Sequence, residues 1–238
     1  MDASPATPRR VAVLLAGGTG SRTGLELPKQ LVEVGGRTVL EHALRALHDH
    51  PRVDDVVVVM TPGHLDAART VAAGYPKVSA VLPGGETRTA STLAALAHLG
   101  DEDCLLLLHD AARPLLTQRI VGDCLAVLAD HGAVATVIAS TDTVFEVGPD
   151  GTISGVPARA GLRRAQTPQG FRSDVLRRAY AAAAADPDFV ATDDCSVVHH
   201  YLPDVPVAVV EGDEVNLKVT SRLDLAIVAE LLRQHDAS

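Results

Sequence analysis

A glycine-rich run, Ala16-Gly17-Gly18-Thr19-Gly20-Ser21-Arg22, follows directly on a Val/Leu-rich stretch, and Lys29 stands a few residues further on. Glycines let a backbone turn sharply and approach a ligand, with amide N–H groups aimed at phosphate oxygens. Cations at Arg22 and Lys29 could hold a triphosphate and neutralise charge developing at a phosphorus centre. Lysine is scarce: Lys29, Lys77 and Lys218 are the only three in the chain, and its solvated faces are built from arginine. A retained lysine is therefore a stronger functional candidate than usual. Two familiar phosphate loops do not fit. A dinucleotide fingerprint GxGxxG beginning at Gly18 would need glycine where Thr23 stands, and no acidic residue follows the second strand, which ends Met60-Thr61-Pro62-Gly63. A Walker loop is excluded because no Gly-Lys dipeptide occurs.

The elements that must position these groups are legible from hydrophobic patterning. Short Val/Leu-rich runs at Val11–Ala16, Val56–Met60, Val78–Leu82, Cys104–His109, Val134–Ala139 and Val207–Val210 read as strands buried on both faces. Amphipathic stretches alternate with them: Val39–Leu47, Leu65–Ala73, Thr87–Leu99, Arg119–Ala129, Asp174–Ala185 and Leu223–Arg233. Thr38 and Glu41 have the spacing of a capping box. The alternation predicts one α/β domain over 1–238, an open, mostly parallel sheet with helices on both faces. Residues 142–164 break the rhythm around the turn Gly148-Pro149-Asp150-Gly151. They are expected to form a β-hairpin arm leaving the main body, or else an edge hairpin of the same sheet.

The bulk properties narrow the class. A net charge of −9 disfavours a duplex-DNA binder that works by phosphate neutralisation. The cysteines Cys104, Cys124 and Cys195 are odd in number and widely spaced, without a CxxC, so neither a disulfide framework nor a structural zinc site is expected, and a reducing cytoplasm is. The longest apolar runs fall well short of the roughly 18–20 residues that span a bilayer. The opening MDASPATPRR reads as a loose tail rather than a signal peptide. The pair His199-His200 has no third ligand at metal spacing and reads as structural or surface.

Five blocks in order resemble one family. They are Leu15–Arg22 with Pro28-Lys29-Gln30, Gly84–Ser91, His109-Asp110-Ala111-Ala112-Arg113-Pro114, Gln166-Thr167-Pro168-Gln169, and Asn216–Thr220. Together they resemble the 2-C-methyl-D-erythritol 4-phosphate cytidylyltransferase family of the non-mevalonate isoprenoid pathway. The resemblance spans nearly the whole chain. It implies a Rossmann-like nucleotidyltransferase sheet with a protruding β-arm, and a reaction in which CTP and a polyol phosphate give a CDP-polyol and pyrophosphate. It implies Mg²⁺, and a homodimer whose arms complete each other's active sites, with no nucleic acid or membrane partner.

Carried over residue by residue, the resemblance puts Arg22 and Lys29 on the phosphates and the pentacoordinate transition state. Ala16, Gly17, Gly18 and Gly20 would face the nucleotide, and Gly85, Glu86 and Ser91 would read cytosine. Asp110, with Ala111 beside it, would meet the nucleotide and its metal ion. Arg113 would hold the polyol phosphate or pin its loop. Thr143, Thr167 and Thr192 would lie on the acceptor side. Arg159 in the arm would bind the attacking phosphate, with Arg163 or Arg164 as alternatives, and Lys218 would orient that phosphate. Thr23 departs from the family pattern, which has Met or Leu there. Two other readings stay open: a sister cytidylyltransferase acting on ribitol 5-phosphate or a phosphonate, and a CTP-binding regulator without turnover.

Overall fold

The computed structural model describes residues 8–17, 27–186 and 188–236. In chain order these form β1 (Arg9–Ala16), β2 (Glu33–Val34), β3 (Arg37–Thr38), α1 (Val39–His48), β4 (Asp55–Met60), α2 (Leu65–Ala72), β5 (Val78–Pro83) and α3 (Arg88–Leu99). Then come β6 (Cys104–Asp110), α4 (Gln118–Val127), β7 (Ala133–Ala139), β8 (Glu146–Val147), β9 (Ile153–Gly155) and β10 (Arg163–Arg172). The chain closes with α5 (Ser173–Ala183), α6 (Asp194–Tyr201), β11 (Val207–Glu211) and α7 (Arg222–Asp236).

The central sheet has seven strands in the order β11-β7-β10-β6-β1-β4-β5. Every pairing is parallel except those of β10, which runs antiparallel to both β6 and β7. Strand side chains alternate between the two faces, so each strand feeds two cores. Leu14, Val58 and Leu107 pack with Leu40 and Leu44 of α1 and Leu125 of α4 on one side. Their neighbours Val13, Val57 and Leu106 pack with Leu96 of α3, Leu176 of α5 and Val198 of α6 on the other. Burial on both faces is why these strands carry continuous rather than alternating apolar runs.

Three sequence expectations need correction. Residues 163–172 form a ten-residue strand at the heart of the sheet, although Pro168 argues against a central strand. The register explains it: pairing with β7 jumps between Gln166 and Gln169, so Thr167 and Pro168 bulge out of that ladder and the missing proline N–H costs no ladder bond. The expected arm boundary therefore moves, because Arg163 and Arg164 belong to this strand. Second, α6 was not expected. It is short, and its capping box is Asp193 with Ser196. Third, the box at α1 is half formed. Thr38 Oγ1 accepts from the Glu41 amide at 3.1 Å, but the Glu41 carboxylate accepts from the Tyr75 hydroxyl instead.

The hairpin β8–β9 forms its own two-stranded sheet, separate from the seven strands. Of the two hairpin expectations, the separate arm is the one observed. Val144, Phe145, Val147, Ile153 and Val156 on it are exposed.

Candidate active site

The chain reverses direction across the sheet between β1 and β6. From β1 it builds outward through β4 to β5, and then returns to place β6 on the other side of β1. The crevice beyond the carboxyl ends of two such strands is where open α/β sheets bind ligands. In register, Leu15 of β1 lies beside Asp110 of β6, so Ala16, Gly17 and Asp110 meet at that crevice. On the β10 side of Asp110 a cleft of about 300 Å³ opens, lined among others by Arg88, Asp110, Arg113, Thr167, Thr192 and Lys218.

Asp110 is the electrostatic centre. Lys218 Nζ lies 2.8 Å from its Oδ2, the Arg88 Nη1 contacts its Oδ1, and Arg113 Nε stands 4.0 Å from Oδ2. Burial pushes the Asp110 carboxyl up, but Arg88, Lys218 and Arg113 outweigh it and hold the group well below the ordinary carboxylate range. Its backbone N–H donates to Thr167 Oγ1 at 3.0 Å.

Behind it lies a directed relay. His109 is fully buried, and its Nε2 faces the Arg113 carbonyl at 3.0 Å. A carbonyl only accepts, so Nε2 carries the proton and Nδ1 accepts from the Thr167 hydroxyl at 3.0 Å. Thr167 Oγ1 is thereby committed on both sides. Burial pushes the His109 imidazole down to about 4, which keeps it neutral and the relay intact.

The glutamines of Gln166-Thr167-Pro168-Gln169 stitch two loops to β10. Gln166 Nε2 donates to Asp213 O at 2.7 Å, and its Oε1 accepts from Asn216 Nδ2 at 3.1 Å, which fixes the segment leading to Lys218. Gln169 Nε2 donates to Asp193 Oδ2 at 2.6 Å, and its Oε1 accepts from the Asp194 amide, which fixes the segment carrying Thr192. Arg113 is a strut of the same kind: Nη1 donates to Asn216 O at 2.8 Å and Nη2 to Ala165 O at 3.3 Å. Of its two expected roles, pinning the loop is the one these bonds perform. Its buried Nε has no hydrogen-bond partner among the described residues and faces Asp110.

On the β1 side of Asp110, Ser91 Oγ donates to Thr87 O at 3.1 Å and lies against Gly17 and Gly84. A Cβ on Gly17 would stand 2.8 Å from Ser91 Oγ, and one on Gly85 would stand 2.3 Å from Ala90 Cβ, so neither position has room for a side chain. Gly17, Gly85 and Ser91 are thus brought together, and Glu86 projects from the same turn into solvent. Ala16 O is taken by Gln30 Nε2 at 3.1 Å and by the Thr61 hydroxyl, while the Ala111 N–H is taken by Leu15 O. Lys29 Nζ donates to Val219 O at 2.8 Å, next to Lys218.

Gly18, Gly20, Arg22 and Thr23 lie outside the described residues. Thr143 and Arg159 lie on the arm, outside this chain's own cleft; Arg159 Nη1 donates to Thr141 O at 3.1 Å. Arg164 pairs with Glu214 at 2.8 Å, whereas Arg163, like Arg159, bonds only to backbone carbonyls among the described residues. Sequence reasoning missed Arg88 and Asp194. The available signal was a cation in the first turn of α3, where the helix dipole disfavours it.

A doubly covered α/β sheet with a cation-rich cleft around Asp110, beside a glycine-rich turn, is the architecture of a nucleotidyltransferase. The family model for 2-C-methyl-D-erythritol 4-phosphate cytidylyltransferase matches residues 10–234, and the chain belongs to that family. It is 52% identical over 234 residues to the protein of that name from Thermobifida fusca, covering 95% of this chain and 94% of the relative. It is 36% identical to a bifunctional ribulose 5-phosphate reductase/CDP-ribitol pyrophosphorylase from Haemophilus influenzae, covering 94% of this chain and 48% of that protein. A solved structure of 4-diphosphocytidyl-2C-methyl-D-erythritol synthase from Anaerococcus prevotii superposes with a TM-score of 0.85 at 27% identity, covering 95% and 96% of the two chains. The enzyme class is a CTP-dependent cytidylyltransferase.

Proposed function

We propose that this enzyme joins CTP to 2-C-methyl-D-erythritol 4-phosphate, giving the CDP-polyol and pyrophosphate for isoprenoid synthesis by the non-mevalonate route. The observation that carries the reading is the convergence of Lys29, Lys218 and Asp110 at the β1–β6 crevice, beside Gly17, Gly85 and Ser91. In this reading an oxygen of the acceptor phosphate attacks the α-phosphorus of CTP, and the bond to pyrophosphate breaks as the new P–O bond forms. No covalent enzyme intermediate is needed, so the protein contributes orientation and charge. Ala16, Gly17, Gly18, Gly20 and Ala111 line the nucleotide, and Gly85, Glu86 and Ser91 frame the base. Arg22 and Lys29 neutralise charge on the leaving pyrophosphate. Lys218 orients the acceptor phosphate, and Arg113, Thr167 and Thr192 shape the acceptor side.

Magnesium enters this reading with the nucleotide. Among the described residues no group of three His, Cys, Asp or Glu side chains could hold a resident ion. Asp110 is the carboxylate at the strand end of the cleft, and both its oxygens already face cations, while the Asp193 carboxylate at the same cleft is held by Gln169 and the Ser196 amide. That suits a Mg²⁺–CTP substrate whose phosphates provide the remaining oxygens. The ion would offset charge on the phosphates as the pyrophosphate departs.

The arm's exposed apolar side chains favour packing against a second copy, and Arg159 and Thr143 would then reach the acceptor phosphate in the partner's cleft. A homodimer with shared sites follows. A cytoplasmic location is supported by three free, buried cysteines. No helix among the described residues is long and apolar enough to cross a membrane. The CDP-ribitol relative keeps ribitol 5-phosphate as the second acceptor to test. The experiment is pyrophosphate release from CTP and Mg²⁺ with each acceptor in turn. Release with the methylerythritol phosphate supports the reading, and release with neither acceptor refutes it in favour of a nucleotide-binding regulator.

A further inference from the structure

Three cations face Asp110, with Arg113 Nε the farthest at 4.0 Å from Oδ2, and the two closer ones, Lys218 and Arg88, are held differently. Lys218 arrives on a side chain that is 44% exposed and can swing into solvent. Arg88 is anchored from behind by Asp194. Its Nε donates to Asp194 Oδ2 at 3.1 Å, and its Nη2 lies 2.8 Å from the same oxygen. Asp194 is fully buried, and its other oxygen accepts from the Thr92 hydroxyl at 2.8 Å and the Tyr180 hydroxyl at 2.6 Å. Among the described residues Arg88 is its paired cation. Withdrawing Arg88 would strand a buried charge, so the guanidinium stays, and its Nη1 stays on Asp110 Oδ1. The arrangement needs arginine: a planar fork reaches two carboxylates at once, and a point-like ammonium does not.

We propose that Arg88 is a positioning residue and a built-in counter-cation: anchored by Asp194, it occupies one oxygen of Asp110, so that the carboxylate engages a divalent cation only through its other oxygen, after Lys218 moves off, and together with nucleotide phosphates. The inference rests on the reading above that Asp110 meets the metal–CTP substrate. It explains how a buried carboxylate at the cleft avoids capturing a metal ion before the nucleotide arrives. It also ties the base-framing turn to the metal-facing carboxylate, since Arg88 opens the helix that carries Ser91.

The test is Mn²⁺ binding followed by electron paramagnetic resonance, with and without α,β-methylene-CTP, which cannot turn over. Wild-type protein should bind Mn²⁺ weakly alone and tightly with the analogue, and Asp110→Asn should weaken the Mn²⁺–analogue complex. Arg88→Lys, which can keep Asp194 paired but cannot span both carboxylates, should bind nucleotide-free Mn²⁺ at least about tenfold more tightly than wild type. The double variant Arg88→Gln/Asp194→Asn, which removes the buried pair together, should show the same gain, and thermal unfolding reports whether each variant is folded. A merely structural Arg88 would give no gain of metal affinity. Nucleotide-free affinities within about twofold of wild type in the folded variants, with Asp110→Asn still damaging the analogue complex, would overturn the inference alone. An unaffected Asp110→Asn complex would remove the metal reading of Asp110 and the inference with it.

Discussion

Lys29 Nζ donates to the carbonyl of Val219 at 2.8 Å, joining the turn after the glycine run to the segment just beyond Lys218. Two of the chain's three lysines are thereby held on one side of one crevice, although they lie at opposite ends of the sequence. If Lys29 neutralises charge on the departing pyrophosphate, Lys29→Ala should lower kcat by about 100-fold or more, the scale of losing one preorganised charge. Steady-state kinetics with saturating CTP measure it. A loss within about threefold would remove Lys29 from the chemistry.

Arg159 lies on the arm, and among the described residues its guanidinium is bonded to a backbone carbonyl rather than to a carboxylate. Its charge is therefore available to a phosphate. Arg159→Ala should raise the acceptor KM or depress kcat while CTP affinity is kept. Mixing it with Lys29→Ala chains should restore part of the activity through hybrid dimers that hold one intact site. No recovery in heterodimers verified by mass would rule out the shared site.

The Thr167 hydroxyl accepts from the Asp110 amide and donates to His109 Nδ1. Thr167→Val keeps the shape and strands two buried polar groups, at a cost of about 1–3 kcal/mol. Urea unfolding should show a lower midpoint with an unchanged slope. An unchanged midpoint would mean that the relay does not hold the site.

His109 also sets a pH dependence. The unfolded imidazole titrates near 6.5, while burial pushes the folded one down to about 4. Between those values the unfolded chain binds a proton that the folded chain does not, so stability falls as pH drops from 6.5 towards 4 and is insensitive to this group above 6.5. The contribution is on the order of 3 kcal/mol. The loss of stability between pH 7 and pH 4.5 should be smaller in His109→Gln than in wild type. Parallel profiles would show that His109 is not the group responsible.

Much of this was legible because burial on both faces writes itself into Val/Leu runs, and because the glycine run and the scarce lysines carry chemical meaning alone. The central strand β10 was hidden by Pro168, whose tolerance depends on a bulge that only the partner strands define. The anchor Arg88–Asp194 was hidden because its members are far apart in sequence and each looks like an ordinary surface charge until Asp194 proves to be fully buried. The two glutamines around Thr167-Pro168 marked a family, but their work of tying the Lys218 and Thr192 segments to β10 is visible only in three dimensions.

In the proposed reaction this cleft transfers a cytidylyl group to 2-C-methyl-D-erythritol 4-phosphate in preference to ribitol 5-phosphate. The most direct measurement is a competition: equimolar 2-C-methyl-D-erythritol 4-phosphate and ribitol 5-phosphate with limiting CTP and Mg²⁺, the CDP-polyol products resolved by mass. The CDP-methylerythritol product should dominate, with pyrophosphate matching the total CDP-polyol formed. A dominant CDP-ribitol product would contradict that preference.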